Sequence, residues 1–412
     1  MRPERSRAGR AALRRGPVGL SLAGGGPLGG IYEVGALAAL EEAFDGLEFT
    51  EIDIYVGVSS GGFIAAALAN GMSPAKLARM LVENDAEEVF DPEVLLRPAF
   101  GEYFRRAASV PPLLLDALCH YLADPWRKGL LESFERLSHA IPTGIFDNAG
   151  IDRLLRRVFS ARGRSNDFRE LRHRLYLVAT DLDSGEAVEF GAPGYDDVPI
   201  STAVQASAAL PGLFPPVEIG GRFYVDGALI KTLHASVALR QGAELVLCVN
   251  PLVPFDSTLA EQREHRPRHS VSHLVEGGLP VVLAQTFRAI IHSRMQVGMD
   301  RYRHLHPGVD MVLFEPTRDD ADMFFANVFS YGSRKRLCEH AYQRTRQELY
   351  RRRHELGPLL VRHGIRLDLG VLRDHERSLL AHEEGVPAGA TERALERALD
   401  DLEHWLGRRG RP

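Results

Sequence analysis

Lysine is nearly missing from this chain: of 50 basic residues only Lys76, Lys128, Lys231 and Lys335 are lysines, and the rest are arginine. The matching excess of alanine, glycine and leucine reads as genomic base composition rather than as a basic partner's footprint. Net positive charge is missing as well. A formal charge of -5 supplies no field for nucleic acid, which is excluded as the main partner. Cysteine is scarce. Cys119, Cys248 and Cys338 lie far apart with no C-x-x-C spacing, which excludes a disulfide framework and a zinc knuckle and fits a reducing compartment. Cys248, inside "LVLCVN", reads as a small buried hydrophobe. No apolar run reaches the eighteen or so residues of a membrane span. The start, "MRPERSRAGRAALRRGP", carries six arginines without the apolar core of a secretory signal. The expectation is a cytoplasmic protein, with peripheral contact at a membrane surface as the wider version. Neither an EF-hand nor a carboxylate cluster is present, so no calcium, other metal or cofactor is expected.

What is present is ordinary for a globular fold: 412 residues, 45% hydrophobic and 25% charged, enough for a large core. "VGLSL" (Val18–Leu22) is a short apolar run stopped by glycines, hence a buried strand. After it, Ile31, Val34, Leu37 and Leu40 fall on one face of a helix spanning residues 30–44. "IDIYVG" is the next strand, and "GGFIAAALANG" the next helix, closed by Gly71. Strand–helix–strand–helix means a parallel sheet with right-handed crossovers. Prolines then chop residues 73–159 into short helices. Strands resume at "RLYLVATDL" and "EAVEF". "VEIGGRFYVDG" is a hairpin turning on Gly220-Gly221, and "ELVLCVN" is one more buried strand. Residues 256–275 read as an exposed polar loop. A long helix (Leu279–Leu305), a strand "VDMVLFEP", a helix over 323–353 and an amphipathic tail helix, "TERALERALDDLEHWLG", complete the chain.

Two stretches carry chemistry. In "LSLAGGGPLGG", Gly24-x-Gly26-x-x-Gly29 stands between a strand and a helix, the arrangement of a dinucleotide-binding turn. That use also needs an acidic residue closing the second strand, and here the strand ends in Gly57-Val58-Ser59; no G-K-[ST] follows either. What remains is a set of bare peptide N–H groups at a helix start, which forms an anion site. In "VGVSSGG", Gly57-Val58-Ser59-Ser60-Gly61 is G-x-S-x-G centred on Ser59. Such a turn leaves the central hydroxyl exposed at the carboxyl edge of a sheet. Ser60 lacks the flanking glycines for that place. A glycine-rich turn with a capping serine is the alternative.

A nucleophilic serine needs a base and an oxyanion site. An α/β-hydrolase would place its serine after several strands, and Ser59 follows only the second. Asp226 in "YVDGAL" closes a hairpin strand before Gly227 and is the other candidate base, although "DG" is also a common Asx turn.

Taken in order, "GGGPLGGIYEVGAL", "GVSSG", "ATDLDSGEAVEF" and "ASAALPGLFPPVEIGGRFYVDGA" resemble the patatin-like phospholipase family over Val18 to Val253. "EP" followed by "DMFFANVFSYGSRKRL" is similar to a C-terminal segment of bacterial members. The resemblance implies a three-layer α/β/α fold with a mostly parallel sheet, and a Ser–Asp dyad without histidine that acts on acyl esters of lipids. It implies Ser59 as nucleophile, Asp226 as base, and Gly24, Gly25, Gly26 and Gly29 as the oxyanion loop. Gly57, Gly61, Gly227 and Ala228 support the motifs. Four positions depart from the family pattern: Leu28 stands where a basic residue is common, Ala228 where glycine is common, and Thr232 and His234 where asparagine and proline are usual. The implied organisation is a basic tail (1–16), a catalytic domain (17–255), a polar loop (256–275), helices and a strand packed on that domain (276–355) and a charged helical tail (356–412). The implied partner is a phospholipid or other acyl lipid. The helical region 86–140 is a candidate lid or wall of the acyl site, and its "VPPLLLDALCHYL" is apolar enough to touch a membrane, with an ordinary core helix as the favoured alternative. A lipid-binding regulator with low turnover and a non-lipid serine esterase or thioesterase are the competing readings.

Overall fold

A computed structural model describes residues 16–82, 143–262, 273–325 and 331–379. The expectations for residues 86–140 and for the tail helix fall outside these residues. In chain order the elements are β1 (Val18–Leu22), α1 (Gly26–Ala43), β2 (Phe44–Asp45), β3 (Ile54–Gly57), α2 (Ser60–Ala69) and α3 (Pro74–Val82). Then come α4 (Ala149–Phe159), β4 (Arg174–Asp181), β5 (Ala187–Phe190), α5 (Ile200–Ser207), β6 (Val217–Ile219) and β7 (Arg222–Asp226). Further along the chain lie α6 (Ala235–Arg240), β8 (Leu245–Val249), α7 (Gly278–Leu305), β9 (Asp310–Phe314), α8 (Tyr331–Arg351), α9 (Arg353–Arg362) and β10 (Arg366–Leu367), with short helical turns between and after them.

The fold is mixed α/β around a mostly parallel sheet of eight strands in the order β6-β7-β4-β3-β1-β8-β9, with β5 also on β4. The five strands β4, β3, β1, β8 and β9 are mutually parallel. Strands buried on both faces read as continuous apolar runs rather than as alternation, and every residue of β1, β3 and β8 is buried. Ile54, Val56, Val246 and Cys248 pack on one face with Ala235, Val237 and Ala238 of α6 and with Met295 and Met299 of α7. The Cys248 thiol, fully buried there, is pushed up to about 12 by desolvation and stays neutral.

β4 carries the step that matters for the site. β3 pairs with Arg174–Leu177 of β4, and β7 with Ala179–Asp181. β5 pairs with Leu177–Thr180 and overlaps both registers. A strand has two edges, so β5 holds one and β3 and β7 share the other, end to end. β3 stops at Gly57 opposite Leu177, and the antiparallel β7 stops at Asp226 opposite Ala179. Two chain ends remote in sequence therefore face each other across a single β4 residue, Val178.

Local expectations meet the structure with instructive differences. The hairpin turns on Gly220 and Gly221, both at positive φ, with Ile219 paired to Arg222. α1 starts at Gly26 rather than Gly30, with Pro27 in its first turn, where a missing N–H costs nothing. It is buried nearly all round instead of along one stripe, because α8 covers its outer side. Tyr342 of α8 donates to the Glu42 carboxylate at 2.6 Å. Ser257–Gln262, expected in a loop, forms a short helix whose Leu259 N–H is capped by Asp256. The helix expected over 323–353 is a short turn, Ala321–Phe324, followed by α8. β10 pairs antiparallel with β2, tying chain beyond residue 356 to the end of α1.

Candidate active site

The parallel strands deliver their carboxyl ends to one edge of the sheet, and three turns converge there. Leaving β3, Val58 N–H bonds to the Leu22 carbonyl at 3.2 Å, and the chain reverses at Ser59 into α2. Ser59 has φ 53° and ψ -123°, the only positive φ of a non-glycine residue among the described ones. A side chain held in that region costs on the order of 1–3 kcal/mol and persists only where its surroundings fix it. One such restraint is a bond from Ser59 N–H to Ser207 Oγ at 2.9 Å, while Ser207 Oγ donates to the Val178 carbonyl at 2.6 Å. Gly61 makes the turn sterically open, since a Cβ there would lie 2.5 Å from the Ala23 carbonyl oxygen. Gly57 is the last residue of β3.

Asp226 closes β7 and is 3% exposed; Ser59 is 6% exposed. The Ser59 side chain lies beside the Asp226 carboxylate and helps to lower its pKa. The other carboxylate contact is the Ala228 N–H, at 2.8 Å. The Asp226 backbone is tied down at both ends, its N–H to the Ala209 carbonyl at 3.0 Å and its carbonyl to the Thr180 hydroxyl at 3.2 Å. Burial pushes the Asp226 pKa up to about 6, against the lowering pull of the bonds from Ala228 and Ser59. Gly227 follows it against the β4 backbone at Val178.

The third turn is the glycine loop after β1. A Cβ on Gly24 would lie 3.0 Å from the Ser59 Cβ and 3.3 Å from the Ala228 Cβ, so this loop touches both of the other turns. Gly25 caps α1 and Gly26 opens it. The amides of Gly25 and Gly26 precede the first intrahelical bond, so they are among the orphan donors of a helix start. Gly29 is different: its N–H is taken by the Gly25 carbonyl at 3.0 Å. It shapes the loop rather than offering a donor, and it packs on Pro251 just after β8. The starts of α1 and α2 thus meet at one point, and both helix dipoles favour negative charge there.

Two nearby side chains are set aside by their surroundings. Ser60 is turned toward Gly29 and Gly30 of α1, and its buried hydroxyl has no partner. His234 is buried, 3.4 Å from the Gly227 carbonyl through Nε2. Desolvation holds its pKa down at about 4, so it is neutral at pH 7 and braces the turn after Asp226.

Ser207 has no place in the sequence expectation for the site. It stands in the quoted stretch "ASAALPGLF", but nothing local shows that its hydroxyl spans the space between β3 and β4. Ser207→Ala would strand the Ser59 N–H and the Val178 carbonyl, at a cost of about 2 kcal/mol. We expect a lower Tm and a roughly tenfold loss of kcat, with Ser207→Thr restoring most of both. Steady-state kinetics and thermal melts of the two variants check this.

In comparison with known proteins, the family model for patatin-like phospholipase matches residues 20–239. The chain is 29% identical over 241 residues to lysophospholipase NTE1 of Coccidioides immitis, covering 58% of this chain and 12% of that one. It is 24% identical over 263 residues to YqhO of Bacillus subtilis, covering 61% and 75%. The chain thus spans a small part of the first relative and most of the second. Among solved structures it is similar to VipD from Legionella pneumophila, with 16% identity and a TM-score of 0.35 over 82% of this chain and 67% of that one.

Proposed function

Since the chain belongs to the patatin-like phospholipase family, we propose that it is a lipid acyl hydrolase that cleaves fatty-acyl esters of phospholipids with Ser59 as nucleophile and Asp226 as base. The observation that carries the proposal is the Ser59 side chain beside the buried Asp226 carboxylate, where the glycine loop opens α1.

Ser59 Oγ attacks the ester carbonyl carbon as its proton passes to Asp226. The carbonyl oxygen takes up the negative charge and is held by the N–H groups of Gly25 and Gly26. Collapse expels the lysolipid alkoxide, which leaves with the proton from Asp226, and Ser59 keeps the acyl group. Water, deprotonated by Asp226, then attacks the acyl-enzyme and releases the fatty acid. A carboxylate of ordinary pKa, near 3.9, is a feeble base for a serine hydroxyl. A value of about 6 narrows that gap while leaving the group about nine-tenths ionised at pH 7. Loss of one oxyanion donor in such a site costs on the order of 3 kcal/mol, so the loop matters almost as much as the dyad.

A fluorophosphonate probe should label the protein, with the adduct mapped to Ser59 by peptide mass spectrometry. Incubation with mixed phospholipids should release free fatty acid and lysolipid. Poor labelling with retained lipid binding would identify a regulator instead, and turnover confined to thioesters would remove lipid esters as the substrate.

A further inference from the structure

α7 is apolar on two opposite sides, and among the described residues only one packs against the core. Met295 and Met299 point into the core cluster with Ala228 and Leu233. Gln285 clamps the Phe255 backbone, accepting from its N–H at 3.1 Å and donating to its carbonyl at 2.7 Å. At about 100° per residue, Leu279, Leu283, Phe287, Ile290 and Val297 fall on the side facing away from those contacts. They are 69%, 45%, 48%, 50% and 68% exposed. A soluble monomer rarely leaves so long an apolar stripe in water. The charge of α7 is also segregated: it carries four arginines against one aspartate in a chain whose net charge is -5. Arg294 and Arg301 stand along the same outward side, and both are exposed.

The position of α7 matters as much as its composition. Phe255, which Gln285 holds, follows the carboxyl end of β8, the sheet edge where Ser59 sits. Arg294 reaches the Leu229 carbonyl at 3.5 Å, three residues past Asp226. Leu229 is itself 37% exposed, so apolar surface continues from the helix toward the site.

We propose that α7 docks the protein on an anionic lipid surface, its outward apolar stripe entering the acyl boundary and Arg294 and Arg301 meeting the phosphates. An interfacial helix combines apolar Leu, Ile and Phe that enter the acyl boundary with arginines whose charged ends reach the headgroups, and here Arg294 and Arg301 lie along the C-terminal half of the stripe. The choice of lipid as partner rests on the lipid acyl hydrolase reading, while the surface itself does not. Docked this way, α7 brings the Ser59 edge of the sheet to the layer from which an acyl chain must be drawn.

The test is flotation of the full chain carrying Ser59→Ala, which binds without consuming the vesicles. Vesicles of phosphatidylcholine are compared with vesicles also containing phosphatidylglycerol. The Ser59→Ala protein should float with the anionic vesicles. Adding Leu283→Ser, Phe287→Ser and Ile290→Ser should lower its partition coefficient at least tenfold. Arg294→Gln with Arg301→Gln should abolish the preference for phosphatidylglycerol. With Ser59 intact, the triple variant should label with fluorophosphonate and hydrolyse a soluble short-chain ester as the wild type does. Equal flotation of the triple variant, or no flotation of its parent, overturns the proposal. So does a dimer on light scattering that the triple variant abolishes, since a second copy then covers the stripe. A large loss of thermal stability in the triple variant also overturns it, because the chain's own segment is then the cover. Absent labelling at Ser59 together with the expected flotation would instead remove the hydrolase reading and leave the docking surface standing.

Discussion

Ser59→Ala should abolish ester hydrolysis, lowering kcat by at least about 10⁴-fold as expected for loss of a covalent nucleophile, in a protein that remains folded. The hydroxyl is the sole group removed. The Ser59 N–H keeps its bond to Ser207, and α2 keeps its first-turn bonds from Gly62 and Phe63 to the Ser59 carbonyl. Ser60→Ala is the control, since its hydroxyl faces α1 without a partner. It should retain full turnover and gain slightly in Tm, because an unpaired buried polar group is removed. Ser59→Gly separates chemistry from strain. The backbone at φ 53° is cheap for glycine and costly for alanine. The glycine variant should therefore be as inactive as Ser59→Ala yet melt higher, by about 1 kcal/mol in stability. Turnover surviving in a well-folded Ser59→Ala protein would end the assignment. Equal melting of the Ala and Gly variants would show that the turn is not strained.

Much of this arrangement is legible in the sequence because it is local. "VGLSL", "IDIYVG" and "LVLCV" are apolar runs with glycine or asparagine close behind, and Gly220-Gly221 admits only a tight hairpin. G-x-S-x-G after a strand places a hydroxyl at a sheet edge before any coordinates are known. Other features are not local and left no such trace. That β3 and β7 share one edge of β4 depends on the overlap of three registers, and no single run of residues encodes it. The same holds for Ser207, whose two partners belong to different strands. α1 reads as a one-faced helix because its second covering, α8, comes some three hundred residues later. Gly29 shows the reverse limit. The motif spacing groups it with the oxyanion loop, but its N–H is spent inside α1, which only the position of the helix start reveals. His234 is likewise not placed by its local sequence: its neutral ring lies against the Gly227 carbonyl.

Asp226→Asn should lose activity nearly as completely as Ser59→Ala and, unlike it, should stabilise the protein at neutral pH. The carboxylate is buried and its pKa is raised from 3.8 to about 6. A carboxyl with a higher pKa in the folded state binds more protons folded than unfolded between those values. Stability therefore falls as pH rises from about 4 through about 6, and above that range the charged form is a standing cost. About two pKa units correspond to on the order of 2–3 kcal/mol. Asparagine keeps an oxygen for the Ala228 N–H and removes the charge, so the variant should melt higher at pH 7.5 and match the wild type at pH 4. The same value governs catalysis with the opposite sign. Only the ionised carboxylate accepts the Ser59 proton, so kcat/KM for a soluble ester should fall below pH 6, with one acid limb near that value. The Asn variant should show no such limb in its residual rate. Thermal melts across pH and a pH–rate profile read both quantities. If Asp226→Asn melts below the wild type at every pH, the carboxylate is supported by contacts other than those of Ser59 and Ala228. If the acid limb lies near pH 4, burial has not tuned it as a base. Either result would break the link between the cost of burying Asp226 and its use, which is the physical content of the dyad.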